Sequence, residues 1–66
     1  MKVSINSQPI ELTDKSTLAE ALASSGIKPE GIATALNGNV VPASDRATTK
    51  LNDGDSILII KAFCGG

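Results

Sequence analysis

Two short stretches near the start of the chain, at 2–6 and 10–13, alternate between polar and apolar residues. This period of two is typical of a strand that buries one face. Between them, positions 6–9 hold a cluster of turn-favouring residue types. We therefore predict a β-hairpin in this region. Its inward-facing side chains would be Val3, Ile5, Ile10 and Leu12.

The pattern then changes to the spacing of an amphipathic helix. The apolar stripe of this helix consists of Leu18, Ala21 and Leu22, with Ala19 as a further candidate. At its start, Thr17 and Glu20 have the spacing of a capping box, and Ser16 competes with Thr17 as the N-cap. At its end, Gly26 suits the position after the last turn because glycine adopts positive φ readily, and Ile27 can pack back on the helix.

A second hairpin follows the helix. Apolar residues at 32–36 predict a strand, and positions 39–41 return as a short partner strand. Between them, Asn37-Gly38 is the strongest short hairpin signal in the chain, since a type I′ turn needs positive φ at both central residues.

The most hydrophobic run of the chain comes last, at 56–62, after a tight turn at 52–55. Before that turn, the polar stretch 43–50 predicts a loop, with Leu51 filling the core from its end. The element order β-β-α-β-β-β predicts an α+β fold in which one helix packs across a mixed sheet of four to five strands. The last strand would be central, because residues on both of its faces are apolar.

The two faces of this last strand are not told apart by the period alone. One face carries Leu58, Ile60 and Ala62, and the other carries Ile57, Ile59, Lys61 and Phe63. We expect the face with Lys61 to meet solvent at its end, where Ile59 and Phe63 would form an apolar patch suited to a protein partner. The predicted docking residues are therefore Ile57, Ile59, Lys61 and Phe63. The alternative is that the loop at 43–50 covers this face as ordinary core.

With 66 residues, the chain has room for one domain, which we place at 1–62 with a flexible tail at 63–66. A single cysteine cannot form an internal disulfide, and the absence of histidine removes zinc sites and histidine-dependent nucleophiles. Phe63 is the one aromatic residue, so the core must be aliphatic. The sequence predicts no catalytic residue, no metal site and no cofactor.

The charge pattern narrows the range of partners. Net charge is −1, and the charged residues are scattered singly, so no basic stripe for nucleic acid exists. No apolar run approaches the ~20 residues that span a bilayer, and a lone cysteine fits a reducing compartment. We therefore expect a cytoplasmic protein that binds neither nucleic acid nor membranes.

The last two residues, Gly65 and Gly66, have no side chains and offer only backbone and an α-carboxylate. Without a Cβ they can pass through a narrow opening. Gly66 is therefore the candidate reactive residue, with Gly65 and Cys64 providing access. Cys64 has no histidine to activate its thiol. The alternative for the whole segment is an incidental disordered end.

Three motifs in combination point to one family: the run ALNGNVVP at 35–42, the run LNDGDSI at 51–57 and the terminal Gly65-Gly66. With the element order, they make the whole chain similar to the ThiS-type sulfur carriers of thiamine biosynthesis. The resemblance implies the ubiquitin-like β-grasp fold, and a protein that is a carrier and substrate and not an enzyme. Cys64 departs from the family, in which small or aromatic residues are common at this position.

The resemblance also implies a reaction and its partners. An adenylating enzyme of the ubiquitin-activating type uses ATP to convert Gly66 into an acyl-adenylate. Sulfur from a donor such as a cysteine desulfurase then replaces AMP and leaves a C-terminal thiocarboxylate. Thiazole synthase takes this sulfur into the thiazole ring.

Three other functions stay open on the sequence. The first is the small subunit of molybdopterin synthase, a sulfur carrier for molybdenum cofactor with the same Gly-Gly chemistry, although the motif at 37–42 favours the thiamine carrier. The second is a ubiquitin-like protein modifier whose Gly66 becomes linked to lysines. The third is a regulatory or RNA-binding β-grasp domain whose tail is incidental.

Overall fold

The computed structural model of the protein describes residues 1–61. Its elements are β1 (Lys2–Ile5), β2 (Gln8–Glu11), α1 (Leu18–Ser24), β3 (Ile32–Leu36), β4 (Asn39–Val41), a 3₁₀ turn (Ala43–Asp45) and β5 (Ser56–Lys61). The strands form one five-stranded sheet in the order β2-β1-β5-β3-β4. The β1–β5 pair is parallel and the other pairs are antiparallel. The predicted mixed sheet with one helix is confirmed, and β5 lies at its centre as expected.

The first hairpin is tighter than the sequence pattern suggested. Asn6 and Ser7 both have positive φ, 49° and 70°, and Ile5 pairs with Gln8 across a two-residue turn. The predicted turn at 6–9 was too long, because Pro9 lies inside β2. A proline is tolerated there since β2 is an edge strand, where a missing N–H breaks no ladder.

The start of α1 follows the predicted capping box. The Glu20 N–H donates to Thr17 Oγ1 at 3.3 Å, and the Thr17 N–H donates to a Glu20 carboxylate oxygen at 2.8 Å. Ser16 is therefore not the cap. Its buried hydroxyl donates instead to the Thr13 carbonyl at 2.8 Å.

The end of α1 is a Schellman motif centred on glycine. Gly26 has φ of +70°, and its N–H donates to the Ala23 carbonyl at 3.1 Å. The Ile27 N–H reaches back to the Leu22 carbonyl at 2.9 Å. This pair of bonds satisfies carbonyls that the helix leaves open, and it returns Ile27 to the edge of the core.

The core lies between α1 and the inner face of the sheet. Its buried side chains include Val3, Ile5, Leu18, Ala21, Leu51 and Ile57. Leu51 is 3% exposed, which confirms that it fills the core from the loop. Two backbone bonds hold it there: the Leu18 N–H donates to the Thr49 carbonyl, and the Leu51 N–H donates to the Ser16 carbonyl, both at 2.9 Å.

The polar loop at 43–50 contains a buried cation that the sequence did not indicate. Arg46 is 5% exposed. Its guanidinium donates to Thr34 Oγ1 at 3.1 Å, to the Pro29 carbonyl at 3.0 Å and to the Ile32 carbonyl at 2.9 Å. One side chain therefore ties the 3₁₀ turn to the chain that enters β3.

We predict that Arg46→Met lowers the free energy of unfolding by about 2 kcal/mol, because hydrogen bonds from a charged donor to the Pro29 and Ile32 carbonyls and to Thr34 Oγ1 are lost. Urea denaturation followed by circular dichroism measures the change. Lys50→Met is the matched control, since Lys50 is exposed, and it should change stability by no more than about 0.5 kcal/mol. Equal effects of the two substitutions would contradict a structural role for the hydrogen bonds of the Arg46 guanidinium.

Candidate functional site

The central strand β5 is held by β3 as far as Lys61 and, on its other side, as far as Ile59. On one side, β3 pairs along it as far as Ile32 opposite Lys61. On the other side β1 ends at Ile5, and the side chain of Asn6 forms the next hydrogen bonds with β5. The Ile59 N–H donates to Asn6 Oδ1 at 2.8 Å, and Asn6 Nδ2 donates to the Ile59 carbonyl at 3.3 Å. Lys61 therefore lies at the end of a well-anchored strand.

A second asparagine fixes the other end of β5. The Ser56 N–H donates to Asn37 Oδ1 at 2.9 Å, and Asn37 Nδ2 donates to Asp55 Oδ1 at 3.0 Å. The second carboxylate oxygen of Asp55 accepts from the Asn52 N–H at 2.7 Å. The DGD motif thus closes the turn before β5. Within residues 1–61, no group of three or more His, Cys, Asp or Glu residues could hold a metal ion.

The orientation predicted for the last strand is wrong for its apolar residues. Ile57 is 1% exposed and lies in the core, and Ile59 packs against the same core. Leu58 and Ile60, on the opposite face, are 50% and 54% exposed. The misleading signal was Lys61, which is exposed although it shares the inner face. Lys61 borders an open pocket beside Gly26 and Lys28, where a charged residue needs no burial, and the buried Ile57 cannot serve as a docking residue.

The outer face of the sheet carries an exposed apolar patch instead. The register places Val40 opposite Ala35, and Ala35 opposite Leu58, so these side chains form one row across three strands. Ile60 lies in the adjacent row on β5. Val40 is 78% exposed. We call Val40, Leu58 and Ile60 the sheet patch. Ala35, between Val40 and Leu58, is 9% exposed, and exposed apolar side chains on one face of a sheet mark interaction sites.

The remaining predicted site residues, Phe63, Cys64, Gly65 and Gly66, lie outside the described residues, as does the predicted boundary between domain and tail. Their roles stay predictions. Among the described residues, α1 is too short to span a bilayer, and no other helix qualifies.

Comparison with known proteins identifies the family. The sequence model of the ThiS family matches residues 3–66. A crystal structure of a thiamine biosynthesis protein (ThiS) from Geobacter metallireducens is 25% identical, with 100% of this chain and 99% of that chain covered and a TM-score of 0.82. An NMR solution structure of a thiamine biosynthesis protein from the same organism is 23% identical, with 100% and 88% covered and a TM-score of 0.76.

No curated protein sequence matches the chain. The solved structures confirm the β-grasp fold that the resemblance to the family implies. Since the family match spans nearly the whole sequence, the resemblance seen in the motifs is confirmed, and the chain belongs to the ThiS family.

Proposed function

We propose that this protein is a sulfur carrier in thiamine biosynthesis, and that its reactive group is the α-carboxylate of Gly66. The observation that carries the proposal is the family match, which continues through Gly65 and Gly66. The protein would act as the substrate of an ATP-dependent adenylating enzyme and not as an enzyme itself.

The proposed chemistry takes place on the Gly66 carboxyl group. The carboxylate is ionised at neutral pH, and one of its oxygens attacks the α-phosphate of ATP, so that pyrophosphate leaves. A sulfur nucleophile at the oxidation level of sulfide then attacks the acyl carbon. AMP leaves with the activated oxygen and the electron pair of the broken bond, and the carbon keeps the sulfur as a thiocarboxylate. Thiazole synthase is the proposed acceptor of this sulfur.

The body of the protein supports this chemistry by fixing the point from which the tail starts. Lys61 is held by β3, and Asn6 anchors the strand two residues earlier. Residues 62–66 span at most about 17 Å when extended. A partner that activates Gly66 must therefore lie close to the end of β5.

We propose that the adenylating enzyme docks on the sheet patch. Ile60 immediately precedes Lys61, so an enzyme seated on this face is within reach of the tail. The patch is apolar, with Val40 78% exposed and Leu58 and Ile60 about half exposed. Phe63 remains a proposed contact near the tail, whereas Lys61 lies on the helix side of the sheet, and the sheet patch replaces Ile57 and Ile59 as the main docking surface.

Intact mass spectrometry tests the carrier role. Incubation with the cognate adenylating enzyme, ATP and sulfide should give the mass gain of one oxygen replaced by one sulfur. Deletion of Gly66 should abolish the gain, and Cys64→Ala should leave it unchanged, because the reacting carbon belongs to Gly66. An unchanged mass in the presence of enzyme shown to be active would contradict the proposal.

A complementation experiment separates the pathways. The gene should restore growth of a thiazole auxotroph and not of a molybdenum-cofactor mutant, because the two carriers serve different acceptors. The reverse result would support the molybdopterin role, and covalent conjugates to lysines in cell extract would support a protein modifier.

Substitutions in the sheet patch test the docking proposal. We predict that Ile60→Asp raises the KM of the adenylating enzyme for the carrier about tenfold or more, with kcat little changed. In the proposed complex the enzyme would bury the Ile60 side chain, and the substitution would place a desolvated charge there instead. Ser24→Asp is the control, since it adds the same charge on the exposed surface of α1. The KM is measured from adenylation rates at varied carrier concentration. If both variants keep the KM of the unmodified carrier, docking on the sheet patch is contradicted.

A further inference from the structure

A groove lies on the helix side of the sheet, opposite the sheet patch. Its first part has a volume of about 550 Å³ and lies between α1, the entry to β3 and the 3₁₀ turn. Its walls are largely apolar and include Leu22, Ala23, Ile27, Ile32 and Ala47. A second part of about 530 Å³ shares Ile27 and Ile32 and continues to Lys61. We call the two parts together the helix-side groove.

The charged residues of the helix-side groove are mostly basic. Arg46 lines the first part, and Lys28 and Lys61 line the second. Among residues 1–61, Glu30 is the one acidic residue in the lining, and it lines both parts. The groove therefore takes three of the six basic residues and one of the seven acidic residues, in a chain whose net charge is −1.

Arg46 adds a specific reason for this groove to attract an anion. The side chain is 5% exposed, and its three donor contacts all go to neutral oxygens. A guanidinium has five N–H donors, and within residues 1–61 Arg46 forms no ion pair. A buried cation is stabilised by a nearby opposite charge. A carboxylate brought into the groove would supply that charge.

We propose that the helix-side groove is a second docking site, whose occupant is a protein segment that combines aliphatic side chains with carboxylates. The apolar walls suit the aliphatic part, and Arg46, Lys28 and Lys61 suit the acidic part. The groove borders solvent, since Ala23, Lys28 and Ala47 in its lining are exposed, and this leaves access for a segment of a partner protein. It reaches Lys61, so its occupant sits beside the start of the tail.

The identity of this partner rests on the proposed function: the geometry fits the protein that delivers sulfur. Sulfur must reach the acyl-adenylate of Gly66 while the adenylating enzyme still holds the carrier. The sheet patch and the helix-side groove lie on opposite faces of the sheet, and both extend to the end of β5. The two partners can therefore bind at once.

A peptide titration tests the chemistry of the groove with the carrier alone. The probes are acetyl-ELLE-amide and its neutral counterpart acetyl-QLLQ-amide, followed by amide chemical shifts of ¹⁵N-labelled protein. The acidic peptide should shift Ala23, Ile27 and Ala47 and bind at least about tenfold more tightly than the neutral one. Added salt should weaken the acidic peptide selectively.

Matched variants locate the binding. Ala23→Glu places a carboxylate on an exposed helix position inside the groove and should abolish binding, whereas Ser24→Glu adds the same charge next to it, outside the groove, and should have no effect. The proposal is overturned if the two peptides bind equally, if neither shifts the groove at millimolar concentration, or if the shifts map to Leu58 and Ile60.

A second arm tests the identity of the occupant. Excess acetyl-ELLE-amide should slow thiocarboxylate formation when a donor protein supplies the sulfur, and should leave the rate with free sulfide unchanged. Equal rates with and without peptide would exclude the sulfur-delivering protein as the occupant. The titration needs no enzyme, so its failure leaves the carrier role intact. If the protein never forms a thiocarboxylate, the carrier role is contradicted, and the result of the titration is unaffected.

Discussion

The burial of Ile57 in the middle of the sheet determines which surfaces this protein presents. Side chains of a strand alternate with a period of two, so a shift by one residue would exchange its faces. With Ile57 packed against the helix, Leu58 and Ile60 must face outward, and Lys61 must return to the helix side. The sheet patch and the basic end of the helix-side groove both follow from this one contact.

Polar side chains complete the strand where backbone pairing stops. Asn6 replaces a missing partner strand at Ile59, and Asn37 with Asp55 fixes the start of β5. Each amide offers a donor and an acceptor, which is the pattern that a peptide group would offer. A small domain buries a modest share of its surface, and such contacts hold the central strand in place without a larger core.

Much of the fold could be predicted because local signals were strong and agreed with one another. The Thr17–Glu20 capping box, the Gly26 stop, the Asn37-Gly38 turn and the Leu51 plug are each specified by neighbouring residues, and all are present. The length of the first turn was misjudged because Pro9 reads as a turn residue, although an edge strand accepts it.

The surfaces could not be predicted in the same way, since they depend on how elements meet. Both faces of β5 are apolar, so the pattern could not say which one the helix covers, and Lys61 pointed to the wrong face. Arg46 lies in a run of polar residues and has no local signal of burial. Its role becomes visible only when the 3₁₀ turn approaches the carbonyls of Pro29 and Ile32.

One helix can cover only one face of a sheet, so the apolar residues on the other face stay exposed in the free domain. Leu58 and Ile60 are about half exposed and lie opposite small alanines, so they contribute little to the packing of the free domain. Polar residues at these positions would cost the fold little. Their apolar character is therefore best explained by a partner that buries them, and the proposed reach of residues 62–66 would bring Gly66 to that partner.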